Sequence, residues 1–130
     1  MVNDMNNSFK FRVWDVKNKK FLPESNFAIL GNGKLIVTLS GYYNHFTNTN
    51  QEDYIIQQYT GLKDKNDKEI YEGDIVEGIN LHRKKVVGVI EYNDNRTCYD
   101  LVGQSFRTYL WDLKEEINVV GNIYENPELK

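Results

Sequence analysis

The chain alternates apolar and polar residues in short runs, and this period sets the first expectations. Phe9–Trp14 places Phe9, Phe11 and Val13 on one side and Lys10, Arg12 and Trp14 on the other, the pattern of a half-buried strand. Asp15–Lys20 reads as a turn with Asn18 in the left-handed region, and Pro23 ends pairing after Phe21 and Leu22. Phe27–Leu30 and Lys34–Leu39 flank Gly31-Asn32-Gly33, the strongest hairpin signal in the chain. Tyr42, Tyr43 and Phe46 suggest a further short strand, and Tyr54–Tyr59 another. The chain then reverses through Asp64–Asp67. Gly73 marks a bulge or close approach before Asp74–Glu77. Lys85–Tyr92 is a strong strand, Asn93–Arg96 a turn, and Thr97–Val102 with Gln104–Leu110 a hairpin about Gly103. Trp111–Glu116 is the one expected helix, and Ile117–Tyr124 is a last strand interrupted by Gly121.

Short strands at roughly ten-residue spacing, without crossover helices between them, predict an all-β protein of short antiparallel strands. The region after about Tyr59 has the spacing of a small SH3-like barrel. The expected organisation is a disordered tail over 1–8 and one β domain over 9–130, built as two small half-barrels over about 9–57 and 58–130.

Composition narrows the picture. Nine Tyr among 130 residues favour pleated, half-buried surfaces. A net charge of -3 argues against bulk attraction to nucleic acid, leaving only a local basic patch. The single Cys cannot form an intrachain disulfide, which suits a reducing compartment. Met1–Ser8 lacks an apolar signal region and no run approaches a membrane span, so a cytoplasmic protein is expected.

Three stretches carry a resemblance: Phe11-Arg-Val-Trp-Asp15, the long run from Gln58 to Val76 that contains Gly61-Leu-Lys-Asp-Lys-Asn-Asp67 and Tyr71-Glu-Gly-Asp-Ile-Val76, and Val120-Gly-Asn-Ile-Tyr-Glu-Asn-Pro-Glu-Leu129. In order and spacing they are similar to the YopX family of phage and prophage proteins; the intervening segments match loosely. Asp67 stands where the family more often has Gly, and Asp tolerates that turn conformation. The resemblance implies an all-β fold, a bacteriophage or prophage origin, a bacterial cytoplasm and homo-oligomerisation. It implies no catalytic residues.

Four constellations bear on chemistry. Asp64, Asp67, Glu69, Glu72 and Asp74 could form a metal or acid–base site. They fail the EF-hand template, and the plainer reading is a solvated turn interleaved with Lys63, Lys65 and Lys68. His82, Arg83, Lys84 and Lys85, with Lys17, Lys19 and Lys20, could grip a phosphate backbone while Tyr92 or Tyr99 stacks on bases; charged residues also guard strand edges. Cys98 with His45 or His82 lacks any flanking nucleophile signature, and one Cys with two scattered His excludes a structural zinc site on spacing. Trp14, Tyr59, Tyr71, Tyr109 and Trp111 read as core or interface.

The expectation is therefore a non-catalytic, self-assembling accessory protein that binds a host or phage protein, with no cofactor, no metal and no membrane. Nucleic-acid binding through Arg83 and its neighbours is the alternative. A carboxylate hydrolase using Asp64, Glu72 or Asp74 is the third reading.

Overall fold

A computed structural model describes residues 9–38, 49–113 and 116–130. The tail 1–8, the strand expected through Tyr42, Tyr43 and Phe46, and His45 lie outside these residues. The described elements are antiparallel strands and 3₁₀ turns, so the protein is all-β. Among the described residues no helix is long and apolar enough to cross a membrane. The chain divides into two compact units, Phe11–Gln57 and Gln58–Lys130 together with Phe9 and Lys10.

In the first unit, β1 (Phe11–Asp15) pairs with β2 (Lys20–Phe21) in the register Trp14↔Phe21. The turn between them is held by Asp15. Its Oδ1 accepts from Asn18 N at 3.1 Å and its Oδ2 from Asn18 Nδ2 at 2.7 Å. Asn18 is thus engaged, and the left-handed residue is Lys19, with φ 53°, rather than Asn18. The alternation expected for this strand fails at its end, where Val13, Trp14 and Asp15 are all buried. Trp14 is covered by the edge of Phe21, ring centroids 4.9 Å apart, whereas Phe9 stays exposed.

The predicted hairpin forms as β3 (Phe27–Ile29) and β4 (Leu35–Val37), with Gly33 at φ +86°. The outer edge of β4 is closed by side chains instead of a strand. Leu35 N donates to Gln51 Oε1 at 3.0 Å, Gln51 Nε2 donates to Leu35 O at 2.9 Å, and Val37 N donates to Thr49 Oγ1 at 3.0 Å. Val13, Leu35 and Val37 form the core of this unit, with Phe27, Tyr54 and Ile56 packed against them.

β5 (Tyr54–Lys63) begins in the first unit and ends in the second. It runs past the expected end at Tyr59 because a register shift, with Gly61 at φ +90°, lets Lys63 still face Glu69 of β6 (Glu69–Tyr71). The second unit continues with β7 (Asp74–Ile79), β8 (Lys85–Asn93), β9 (Cys98–Val102), β10 (Arg107–Tyr109) and β11 (Asn118–Asn122). Their order in the sheet is β10-β9-β8-β7-β11, with a 3₁₀ turn before the last strand, which is the arrangement of an SH3-like half-barrel. Ile70, Val76, Ile90, Leu101, Leu110, Leu113 and Ile117 fill its core. Where a helix is predicted over Trp111–Glu116, the described residues form a 3₁₀ turn at Leu110–Leu113. The three-residue period puts Leu110 and Leu113 on one buried face and leaves Trp111 out in solvent.

Candidate functional site

The carboxylates of the acidic motif are engaged in separate hydrogen bonds and ion pairs. Asp64 and Asp74 are buried, at 7% and 2% exposure, which corrects the solvated reading for these two carboxylates, whereas residues 65–68 are exposed. Asp64 Oδ1 accepts from Asn66 N at 2.8 Å and Lys68 N at 2.9 Å, and its Oδ2 accepts from Val119 N at 3.0 Å. Burial opposes ionisation of this carboxyl, but the three backbone donors outweigh it and hold its pKa below the usual aspartate range. Asp74 Oδ2 accepts from Tyr71 N at 2.8 Å, and Glu72 Oε1 from Gln58 N at 2.9 Å. Glu69 accepts from Lys10 Nζ at 2.7 Å, and exposed Asp67, at φ 67°, pairs with Lys63 at 3.6 Å. Among the described residues, no group of three or more His, Cys, Asp or Glu is placed to hold a metal ion.

The basic run forms the tip of the β7–β8 hairpin. Asn80 Oδ1 accepts from His82 N at 2.9 Å and Lys84 N at 3.0 Å, while Arg83 N donates to Asn80 O at 2.9 Å. This side-chain turn holds Arg83 at φ 60° and leaves His82, Arg83 and Lys84 exposed. Leu81, beside them, is 80% exposed. Lys17, Lys19 and Lys20 belong to the other unit, where Lys17 pairs with Asp53 at 3.2 Å. Tyr92 and Tyr99, considered as stacking residues, meet edge to face at 5.3 Å. Burial, with Glu72 adding to it, pushes the Tyr99 phenol up to about 12.

Two depressions on the second unit share Lys85. The first is a charged cleft of about 280 Å³ bounded by Lys65, Glu77, Arg83, Lys85, Glu116 and Asn118. It brings together the turn of the acidic motif and the basic run, which the sequence presents as unrelated. The second is a groove of about 590 Å³ with Val87, Val89, Val102 and Phe106 as its apolar lining and Lys85 and Lys130 among its polar residues. The Phe106 wall depends on Gly103: a Cβ there would lie 2.0 Å from the Phe106 ring. Val87 and Val89 were legible only as strand residues. That they line a groove depends on the 103–106 turn and the C-terminal residues.

A second feature hidden in the sequence is Asp100, which is fully buried. Its Oδ2 accepts from Asn93 Nδ2, Arg96 NH2 and Arg107 NH1, each at 2.9 Å. Arg107 also reaches Glu91 at 3.0 Å, and the Arg96 guanidinium lies 4.5 Å from the Tyr109 ring centre. The network ties the β8–β9 turn to β10. Cys98 Sγ lies 3.8 Å from Asp100 Oδ1 as a weak donor. Cys98 faces Asn93 at one end of β8 while His82 precedes Lys85 at the other, a separation of roughly 25 Å at strand rise, so the two do not form a nucleophile pair.

The geometry agrees with what this chain is similar to. Protein EF1440 from Enterococcus faecalis is 29% identical, with a TM-score of 0.51, over 92% of this chain and 96% of that one. Protein yopX from Bacillus subtilis shares the fold at 22% identity and a TM-score of 0.55, over 92% of this chain and 96% of that one. No curated protein matches. The family model described as YopX protein matches residues 10–129. The chain therefore belongs to the YopX protein family.

Proposed function

We propose that this chain is a non-catalytic accessory protein of phage or prophage origin that acts in the bacterial cytoplasm by binding a protein partner. The observation that carries the reading is the groove of about 590 Å³ along β8, whose apolar lining includes Val87, 39% exposed, and Phe106. An open apolar channel beside a strand suits an extended peptide segment, with alternate side chains entering the groove. Of the cations at its margin, Lys85 pairs with Glu77 at 3.3 Å and Lys130 has no side-chain carboxylate paired to it among the described residues, while Glu91 is matched by Arg107 at 3.0 Å. Charge complementarity therefore favours a segment that mixes apolar and acidic residues. The carboxylates named for a hydrolase, Asp64, Glu72 and Asp74, all accept backbone N–H groups and act as structural anchors. A second copy of the chain would seat on exposed Trp111 and the half-buried Tyr109 beside it, centroids 6.2 Å apart next to edge strand β10, and Trp111→Ala would then lower the mass measured by light scattering.

The test is affinity capture from bacterial lysate containing the phage gene products, with the native chain and Val87→Glu, each with and without nuclease. The reading expects a near-equimolar protein retained by the native chain in both halves and lost with Val87→Glu. Equal capture by Val87→Glu would remove the groove from consideration. Capture that vanishes with nuclease would transfer the role to His82, Arg83 and Lys84 and to nucleic acid.

A further inference from the structure

The charged cleft beside the groove has a composition that the protein-binding reading does not explain. Its floor is an ordered polar chain. Asn66 Nδ2 donates to Asn118 Oδ1 at 3.0 Å, Asn118 Nδ2 donates to Glu77 Oε1 at 3.4 Å, and Lys85 Nζ lies 3.3 Å from Glu77 Oε2. Glu77 is thus matched on both oxygens, and the Asn118 and Lys85 hydrogen bonds hold its pKa below the usual glutamate range. The other cations in the cleft, Lys65 and Arg83, are exposed and have no carboxylate paired to them among the described residues. Among the described residues the cleft holds three cations, Lys65, Arg83 and Lys85, against two carboxylates, Glu77 and Glu116, a surplus of one positive charge. Arg83 also sits at φ 60°, a conformation that glycine adopts freely and a branched or long side chain adopts at a cost.

We propose that this cleft is an anion subsite that receives a phosphate or carboxylate carried by the partner segment lying in the adjacent groove. The inference rests on the protein-binding reading above. The cleft, at about 280 Å³, is small for a whole organic ligand and suits a single ionic group. Lys65 contributes a point charge, Arg83 a planar fork of donors, and Lys85 links cleft to groove. A segment passing Lys85 delivers its next side chain to these cations.

The experiment is an amide NMR titration of the full chain with inorganic phosphate, phosphoserine and N-acetyl-glutamate amide, at ionic strength matched with sodium chloride. The native chain, Lys65→Gln and Arg83→Gly are compared. Arg83→Gly suits the local backbone, so its spectrum and melting temperature confirm an intact fold. Saturable shifts are expected at Lys65, Gly78, Arg83, Lys85 and Asn118, with binding weakened about tenfold by either substitution. The arm with the tightest binding identifies phosphate or carboxylate as the group. Shifts no different from the chloride control, or unchanged in both variants, would overturn the subsite. Binding of inorganic phosphate alone would overturn its link to a partner segment. If capture is lost with Val87→Glu yet unaffected by Lys65→Gln and Arg83→Gly, the subsite falls and the groove reading stands. If capture is insensitive to Val87→Glu while the titration succeeds, the groove reading falls instead, and with it the partner segment as carrier of the anion.

Discussion

Asp64 accepts a hydrogen bond from the backbone N–H of Val119, 55 residues further along the chain, at 3.0 Å. The contact lies on the side of β11 away from β7, with which β11 pairs. Lys65 N donates to Ile117 O at 2.9 Å on the same side, so the motif turn closes an edge that would otherwise be open. The acidic stretch that suggests chemistry in the sequence thus works as a clamp.

Removing the clamp has a large predicted cost. Asp64→Ala leaves a half-buried Val119 N–H without its acceptor and deletes two turn bonds, which costs about 2–4 kcal/mol. Asp67→Gly, three residues away at φ 67° and exposed, is expected to be neutral or stabilising by up to about 1 kcal/mol. Urea unfolding of both variants checks the contrast, and equal losses would refute the clamp.

Acid weakens the fold through the buried aspartates. Burial alone would raise the pKa values of Asp15, Asp64 and Asp100. Hydrogen bonds from Asn18, from backbone N–H groups, and from Asn93 with Arg107 and Arg96 respectively bring them below the ordinary value instead. A depressed folded pKa contributes stability that is present above the unfolded value of about 3.9 and is lost as pH falls through the folded one. Stability should therefore decline below about pH 4. The gap between the native chain and Asp64→Asn should shrink in that range; a gap that widened in acid would contradict the assignment.

Alkali acts through Tyr99. Its phenol is pushed up to about 12, first by burial and then by Glu72. The neutral form is favoured in the folded state, so this contribution is present below the unfolded value of about 10 and fades as pH rises towards the folded value. Burial raises Tyr54 and Tyr59 as well, so phenolate absorbance should show a late phase that Tyr99→Phe reduces. A titration unchanged by Tyr99→Phe would count against it.

In the first unit, the Gln51 side chain takes the place of a neighbouring strand at Leu35. Gln51→Ala removes bonds to both Leu35 N and Leu35 O, at 3.0 and 2.9 Å. A loss of about 1–2 kcal/mol is expected, with faster amide exchange at Leu35 than at Ala28, which pairs inside the hairpin. Unaltered exchange at Leu35 would show that the side chain is not the lock.

Local chemistry by itself determined much of this protein. Gly31-Asn32-Gly33 set the β3–β4 turn, Gly103 the β9–β10 turn, and the period-two run Lys85–Tyr92 the central strand β8. These features act over a few residues, so the sequence carries them openly, and with them the all-β class. The tertiary structure alone decided what those strands present. An Asp among Lys and Asn reads as solvated because its third donor, Val119, enters only when β11 joins β7. Lys65 and Arg83 meet at one cleft, and Val87 and Phe106 at one groove, because sheet order brings separate turns to the same strands. Trp14 and Asp15 are buried together because both faces of that strand end are covered, which alternation along one strand cannot express. Periodicity reports which face a residue occupies; what covers that face depends on pairings between distant segments, and those arise only on folding.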